Sequence, residues 1–227
     1  MTSLADLGPL AQLRAGRLRR RIPQLLVGLF LYGASLALMV RGGLGLAPWD
    51  VLHSGLIRYL PIDLGQMVIV MSMLVLVLWI PLREKPGIGT IANALLIGSS
   101  ADLVMAWLPT QHHLVLRALF TAGGIALCAF ATALYIGAQF GRGPRDGLMT
   151  GLVRRTGASI RLVRTGLEVT VVIIGLCLGG KLGIGTIGYA LLIGPLTQRW
   201  LPTWVIEVDG PGAVTERTPG EPVVADH

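Results

Sequence analysis

Charge is scarce in this chain of 227 residues. Asp, Glu, Lys and Arg together make up only 14%, against about a quarter in an ordinary soluble domain. With 53% hydrophobic residues and a mean hydropathy of +0.69, the chain is excluded from the soluble globular class and placed in a membrane. Cysteine is nearly absent. Cys128 and Cys177 both fall in apolar stretches, which reads as packing and excludes a disulfide framework or a cysteine metal site. No Ser/His/Asp set, His-Glu-x-x-His motif or pair of intramembrane carboxylates suggests an enzyme, and nothing implies a metal or a cofactor. No nucleotide-binding motif supplies energy either, so any transport is expected to be secondary or passive.

What the chain does have is a copy of itself. Residues 21–98 align without a gap on residues 117–194, 96 positions later, with 25 of 78 pairs identical. Arg21 matches Arg117, Gly28 matches Gly124, Pro48-x-Asp50 matches Pro144-x-Asp146, and Gly87-Ile88-Gly89-Thr90-Ile91 matches Gly183 to Ile187. A repeat of this length is a structural half, far longer than a solenoid unit. In membrane proteins two such halves commonly meet at a shared site.

Charge-free apolar stretches lie at 22–40, 64–82, 86–101 and 118–141, with shorter ones at 169–180 and 182–198. At roughly 17–25 apolar residues per crossing, six transmembrane helices are expected. The organisation that follows is a basic N-terminal segment (1–20), a first membrane repeat (21–116), a second (117–204) and a polar tail (205–227) expected to be disordered and cytoplasmic. The net charge of +7 does not point to nucleic acid, because of where it sits. With the N-terminus cytoplasmic, 15 basic residues fall on inner segments and only Arg41, Arg58, Arg117 and Lys181 on outer ones, as the positive-inside rule requires. The run Arg17–Arg21 before an apolar stretch also resembles a signal-peptide start. Its counterpart near 118–138 is internal, which favours a retained first helix. Three crossings per repeat would turn the second half upside down relative to the first, an all-α arrangement of two inverted three-helix repeats.

Three sets of residues are candidates for chemistry. Ala47-Pro48-Trp49-Asp50 and Gly143-Pro144-Arg145-Asp146 each read as the opening of a short helix, interfacial or re-entrant. Proline suits the first turn, and an acid suits the positive end of the helix dipole. In the ordinary reading Asp50 and Asp146 do no more than satisfy their own helix starts. Gly87, Gly89 and Thr90, with Gly183, Gly185 and Thr186, expose backbone N–H groups at helix starts where an anion could sit. The lysine precedes the glycines, so this is no P-loop, and the plainer reading makes the threonines caps and the glycines packing sites. Third come ionisable residues at membrane depth. Asp102 stands where Gln198 stands in the other half, and Arg164 lies one helical turn from Glu168, able to pair with it.

The runs at 43–53 and 87–90, together with Gly143 to Met149, Arg164-x-x-x-Glu168 and the second Gly-Ile-Gly-Thr, resemble the YczE/YitT-type bacterial integral membrane proteins over roughly residues 20–200. The resemblance implies a multi-pass protein of the bacterial inner membrane with no established activity. YitT-type relatives are described with about five crossings, which would put the C-terminal tail outside.

These observations lead to an integral inner-membrane protein in contact with the lipid bilayer. The expected function is secondary transport or export of an anionic or zwitterionic small molecule. Arg145, Arg164 and the glycine N–H groups would hold the substrate, and Asp50, Asp102, Asp146 and Glu168 would be candidates for proton coupling. The alternative is a membrane scaffold or accessory protein for a partner complex. A passive channel is a third reading, and a protomer of 24.1 kDa is small enough to pair as a homodimer.

Overall fold

The structure, a computed structural model, describes residues 9–208. The expected disordered tail falls almost wholly outside them. Among the described residues the fold is helical with no strand: α1 (Pro9–Arg14), α2 (Leu18–Gly42), α3 (Pro48–Leu56), α4 (Leu64–Leu82), α5 (Ile88–Trp107), α6 (Leu114–Gly137), α7 (Pro144–Thr156), α8 (Ile160–Cys177) and α9 (Ile184–Trp204). The segment around α1 packs on the bundle, with Gln12 and Ala15 buried.

Local chemistry sets the helix ends. Pro48 and Pro144 occupy the first turns of α3 and α7, where a missing N–H costs nothing. α2 ends on Gly43 at φ 64° and α7 on Gly157 at φ 69°, left-handed positions that glycine adopts without strain. Thr90 and Thr186 are third residues of their helices rather than caps. Each hydroxyl reaches back to accept from the N–H of Gly87 (3.0 Å) or Gly183 (3.3 Å).

Four helices (α2, α4, α5 and α6) are long and apolar enough to cross a membrane. α8 and α9 fall short of that test although they sit at the expected places. α8 carries Arg161, Arg164 and Glu168 in its first half, and α9 is interrupted by Pro195, Gln198, Arg199 and Pro202.

The bundle is built around α2 and α6, which pack side by side and antiparallel. Gly28 of α2 backs onto Ala131 and Leu134 of α6, and Gly124 of α6 backs onto Ser35 and Met39 of α2. A Cβ on Gly28 would lie 2.8 Å from the Tyr135 nitrogen, and one on Gly124 would lie 3.0 Å from the Ser35 oxygen. Only glycine admits backbones this close in lipid. These two contacts are one contact read from each half, because 28 and 124, and 35 and 131, differ by 96.

The same reciprocity runs through the fold. Within each half the last long helix lies on the first, α5 on α2 and α9 on α6. Between halves the short helices cross over, α3 onto α8 and α7 onto α4. The Gly89 N–H donates to the Phe140 carbonyl and the Gly185 N–H to the Leu44 carbonyl, both at 2.8 Å. Arg21 donates to Ala138 and Gln139 at the C-terminal end of α6, and Arg117 to Gly42 and Gly43 at the end of α2. A cation on the last carbonyls of a helix meets the negative end of its dipole.

One pair breaks the pattern. α4 lies tightly on α5, where Gly65 and Gly98 back onto each other's carbonyls and the Gly65 N–H donates to Asp102 Oδ1 at 2.8 Å. The equivalent helices α8 and α9 hardly touch. Gly194, the counterpart of Gly98, has open space where a side chain would be.

Candidate functional site

The N-terminal ends of α3 and α7 open onto one cavity of about 280 Å³ at the junction of the two halves. Its wall takes residues from all the described helices except α1. α7 is aimed into it by Trp79 of α4, whose indole N–H donates to the Pro144 carbonyl at 2.9 Å while its ring lies against Gly147. On the other side the backbone of α3 at Val51 and Leu52 rests on Gly175, the counterpart of Trp79. A large residue facing a glycine in one crossing and a glycine facing backbone in the other set α3 and α7 differently, although their openings match in sequence.

Of the residues singled out from sequence, Arg145, Asp146, Arg164 and Glu168 line the cavity. Asp50 lies behind Arg145, 5% exposed. Its Oδ1 is 3.6 Å from Arg145 Nη2 and accepts from His53 Nδ1 at 3.0 Å. The Arg145 guanidinium stands 5.2 Å over the ring of Trp49, its counterpart in the first half. Arg164 Nε donates to Glu168 Oε1 at 3.0 Å, the one-turn pairing expected on a helix face. Asp146 Oδ2 accepts from the Tyr135 hydroxyl at 2.9 Å.

The other candidates lie elsewhere. Asp102 is taken up by the start of α4. The glycine N–H groups expected to hold an anion are occupied by protein oxygens: Gly89 and Gly185 by carbonyls, Gly87 and Gly183 by their own threonines. Gly87 and Gly89 face Phe140, Gly183 faces Leu44, and a Cβ at any of the four would press within 3 Å of a neighbour. The motif is therefore a joint between halves, its backbone groups spent on that joint as buried N–H groups must be.

Three residues that sequence reading passed over complete the wall. Tyr32, Tyr135 and Tyr189 all line the cavity, and the rings of Tyr32 and Tyr135 meet edge to face at 6.2 Å. Asn93 joins them. A Cβ placed on Gly143 would lie 3.2 Å from Asp146 Oδ2, 3.3 Å from Asn93 Nδ2 and 3.4 Å from the Tyr135 hydroxyl, so these polar atoms converge. One signal was present. The repeat is identical from Gly87 to Gly98 except at Ala92 and Asn93, which become Gly188 and Tyr189. A mismatch inside an otherwise identical block marks where the halves face something other than each other. Among the described residues no group of three or more His, Cys, Asp and Glu side chains is placed to hold a metal ion.

With this geometry established, the chain can be set against other proteins. A family model described as a family of unknown function, DUF6198, matches residues 19–202. An uncharacterized protein of Haemophilus influenzae is 37% identical over 182 residues, covering 80% of this chain and 84% of that protein. The uncharacterized membrane protein YczE of Bacillus subtilis is 31% identical over 177 residues, covering 77% and 82%. YyaS of the same organism is 26% identical over 180 residues, covering 78% and 90%. No solved structure matches the chain.

Proposed function

We propose that this chain, which belongs to the DUF6198 family, is a small secondary transporter working by alternating access, with its substrate site in the cavity between two inverted halves. The observation that carries the reading is the unequal treatment of equivalent helix pairs. α4 is closed on α5 while α8 stands apart from α9; the pairs share the small residues Gly98 and Gly194 but differ at Gly65, which is Arg161 in α8, and at Asp102, which is Gln198 in α9. In this reading a second state has α8 drawn towards α9 and α4 parted from α5, without an exact copy of the Gly65–Gly98 contact, because Arg161 stands where Gly65 stands. If the first helices of the halves are antiparallel across the membrane, that exchange moves the cavity mouth from one surface to the other. With the N-terminus cytoplasmic, the contact of Gly65 and Asp102 seals the outer side and the α8/α9 cleft opens inward. α8 and α9 complete six crossings in this reading. Arg164, Glu168, Thr197 and Gln198 are tolerated there because they line the cavity.

Asp102 is then a latch at the closed side, and Asp146 and Glu168, in the cavity wall, remain candidates for coupling to protons. The protein is not an enzyme in this reading. The alternative, a scaffold for a partner complex, predicts a bundle that does not change state.

The test uses one cysteine at Ser72, a cavity-lining position of α4, in a background lacking Cys128 and Cys177. An impermeant maleimide is applied from outside to intact cells and from inside to inverted vesicles. The expected result is fast labelling from inside, slow labelling from outside, and faster outside labelling in Asp102→Asn. Outside labelling that is absent in both backgrounds refutes alternating access and favours the scaffold. Equal access from both sides in the parent indicates a channel.

A further inference from the structure

Positive charge in the cavity wall is already matched. Arg145 has Asp50 beneath it and Trp49 against its face, and Arg164 has Glu168. Three carboxylates therefore accompany two guanidiniums, and the one left over is Asp146. Among the described residues no cation lies at ion-pair distance from it; Arg145 and Arg164 feel its charge from farther away, each being held by its own carboxylate, and its hydrogen-bond donor is the neutral Tyr135 hydroxyl. Asp146 lies in the first turn of α7, where the helix dipole favours an anion. That partial charge is spread over the turn. An ionised carboxylate beside a cavity at membrane depth is stabilised fully only by a cation.

The wall around Asp146 has the composition that binds such a cation. Aromatic residues are only 6% of the chain and tyrosines number four, yet three of those four line this one cavity. Tyr135 belongs to the same buried cluster as Leu25 and Leu29, and Tyr189 to that of Met39 and Ile125, so both rings are held by packing rather than free to turn away. The π faces of aromatic rings attract ammonium groups, most strongly where water is excluded. Trp49 already receives the Arg145 guanidinium in this way, which leaves Tyr32, Tyr135 and Tyr189 as the part of the aromatic wall that holds no cation of the protein's own. A cavity of about 280 Å³ suits a compact organic ion, since a water takes up about 30 Å³ of liquid volume.

We propose that the cavity binds a compact organic cation, an ammonium group seated among Tyr32, Tyr135 and Tyr189 and neutralised by Asp146. This rests on the transporter reading for its purpose, but not for its test. It replaces the anion expected from sequence, because both arginines have carboxylates and the glycine N–H groups are engaged elsewhere. Asn93, whose Nδ2 faces Gly143 from the cavity wall as Asp146 Oδ2 does, and the buried Thr197 hydroxyl, which has no hydrogen-bond partner among the described residues, are placed to orient the polar remainder of such a molecule.

The test is equilibrium binding to the purified full chain in detergent by calorimetry, with choline as the probe. The comparison ligand is its neutral carbon isostere, 3,3-dimethylbutan-1-ol, alongside glycine betaine and acetate. The expected result is saturable choline binding, at least tenfold weaker binding of the neutral isostere, and no saturation with acetate. Asp146→Asn is expected to weaken choline at least tenfold and to leave the isostere unchanged. Isostere and choline binding equally would overturn the proposal, as would glycine betaine binding tenfold more tightly than choline, since that preference makes the site zwitterionic. The isostere comparison is made on the parent protein and does not depend on a variant folding. Choline binding without any outside access at Ser72→Cys keeps the cation site and removes the transporter, and the converse result does the reverse.

Discussion

Arg21 is fully buried, and its removal offers a quantitative test of the joint between the halves. The guanidinium donates to the carbonyls of Gln12 (2.7 Å), Gln139 (2.8 Å) and Ala138 (2.9 Å), with a longer bond to Gly16 (3.3 Å), and lies 4.3 Å over the Phe140 ring. Arg21→Ala takes a charged donor from three buried carbonyls at about 1–3 kcal/mol each, and partly recovers the desolvation of the cation. The net loss is about 3 kcal/mol. Arg117 is its counterpart by the repeat, but it is partly exposed and makes two bonds, to Gly42 at 3.0 Å and Gly43 at 2.8 Å. Water replaces those donors, so Arg117→Ala costs about 1 kcal/mol. At about 2–4 °C per kcal/mol for a chain of this size, the two variants should differ in melting temperature by about 4–8 °C. Thermal unfolding of the purified protein in detergent, followed by circular dichroism, reads the difference. Arg21→Lys, which keeps the charge but not the planar fork, should recover only part of the loss. Equal shifts for Arg21→Ala and Arg117→Ala would refute the assignment of the large cost to buried carbonyls, because both residues serve equivalent helix ends in the opposite half.

Two further outcomes follow from the packing. Gly147→Ala would drive a methyl group into the Trp79 ring, breaking the bond to Pro144 and costing about 2–4 kcal/mol. Trp79→Phe in the same chain should recover part of that loss, and a Gly147→Ala protein as stable as the parent would contradict the α4–α7 contact. The orientation of the halves is read by single cysteines at Tyr59 and Arg155, equivalent and exposed positions. If the halves are inverted, Tyr59→Cys labels from outside and Arg155→Cys only after lysis, whereas labelling from one side would make the repeats parallel.

Sequence alone disclosed the doubling, and with it which residues must behave alike. A 96-residue offset with identical Arg21/Arg117, Gly28/Gly124 and Gly-Ile-Gly-Thr blocks requires equivalent backbone environments, and the structure supplies them reciprocally. Helix starts at Pro48 and Pro144 were legible for the same reason, being local consequences of residue type. The Arg164–Glu168 pair was legible from helical spacing alone.

Only tertiary structure decided what those residues touch. The glycine N–H groups looked available to an anion because nothing in the local sequence reveals Phe140 and Leu44 arriving from the opposite half. Asp102 looked like an intramembrane charge until the start of α4 was placed against it. The same holds for Asp146, whose lack of an ion-pair contact depends on where Arg145 and Arg164 turn, and for the tyrosines, which lie 54 to 157 residues apart and meet at one wall. A repeat determines equal interactions for equal residues. That α4 is shut on α5 and α8 parted from α9 follows where the halves differ, Gly65 against Arg161 and Asp102 against Gln198, but the meeting of Gly65 with Gly98 and Asp102 exists only once the helices are packed.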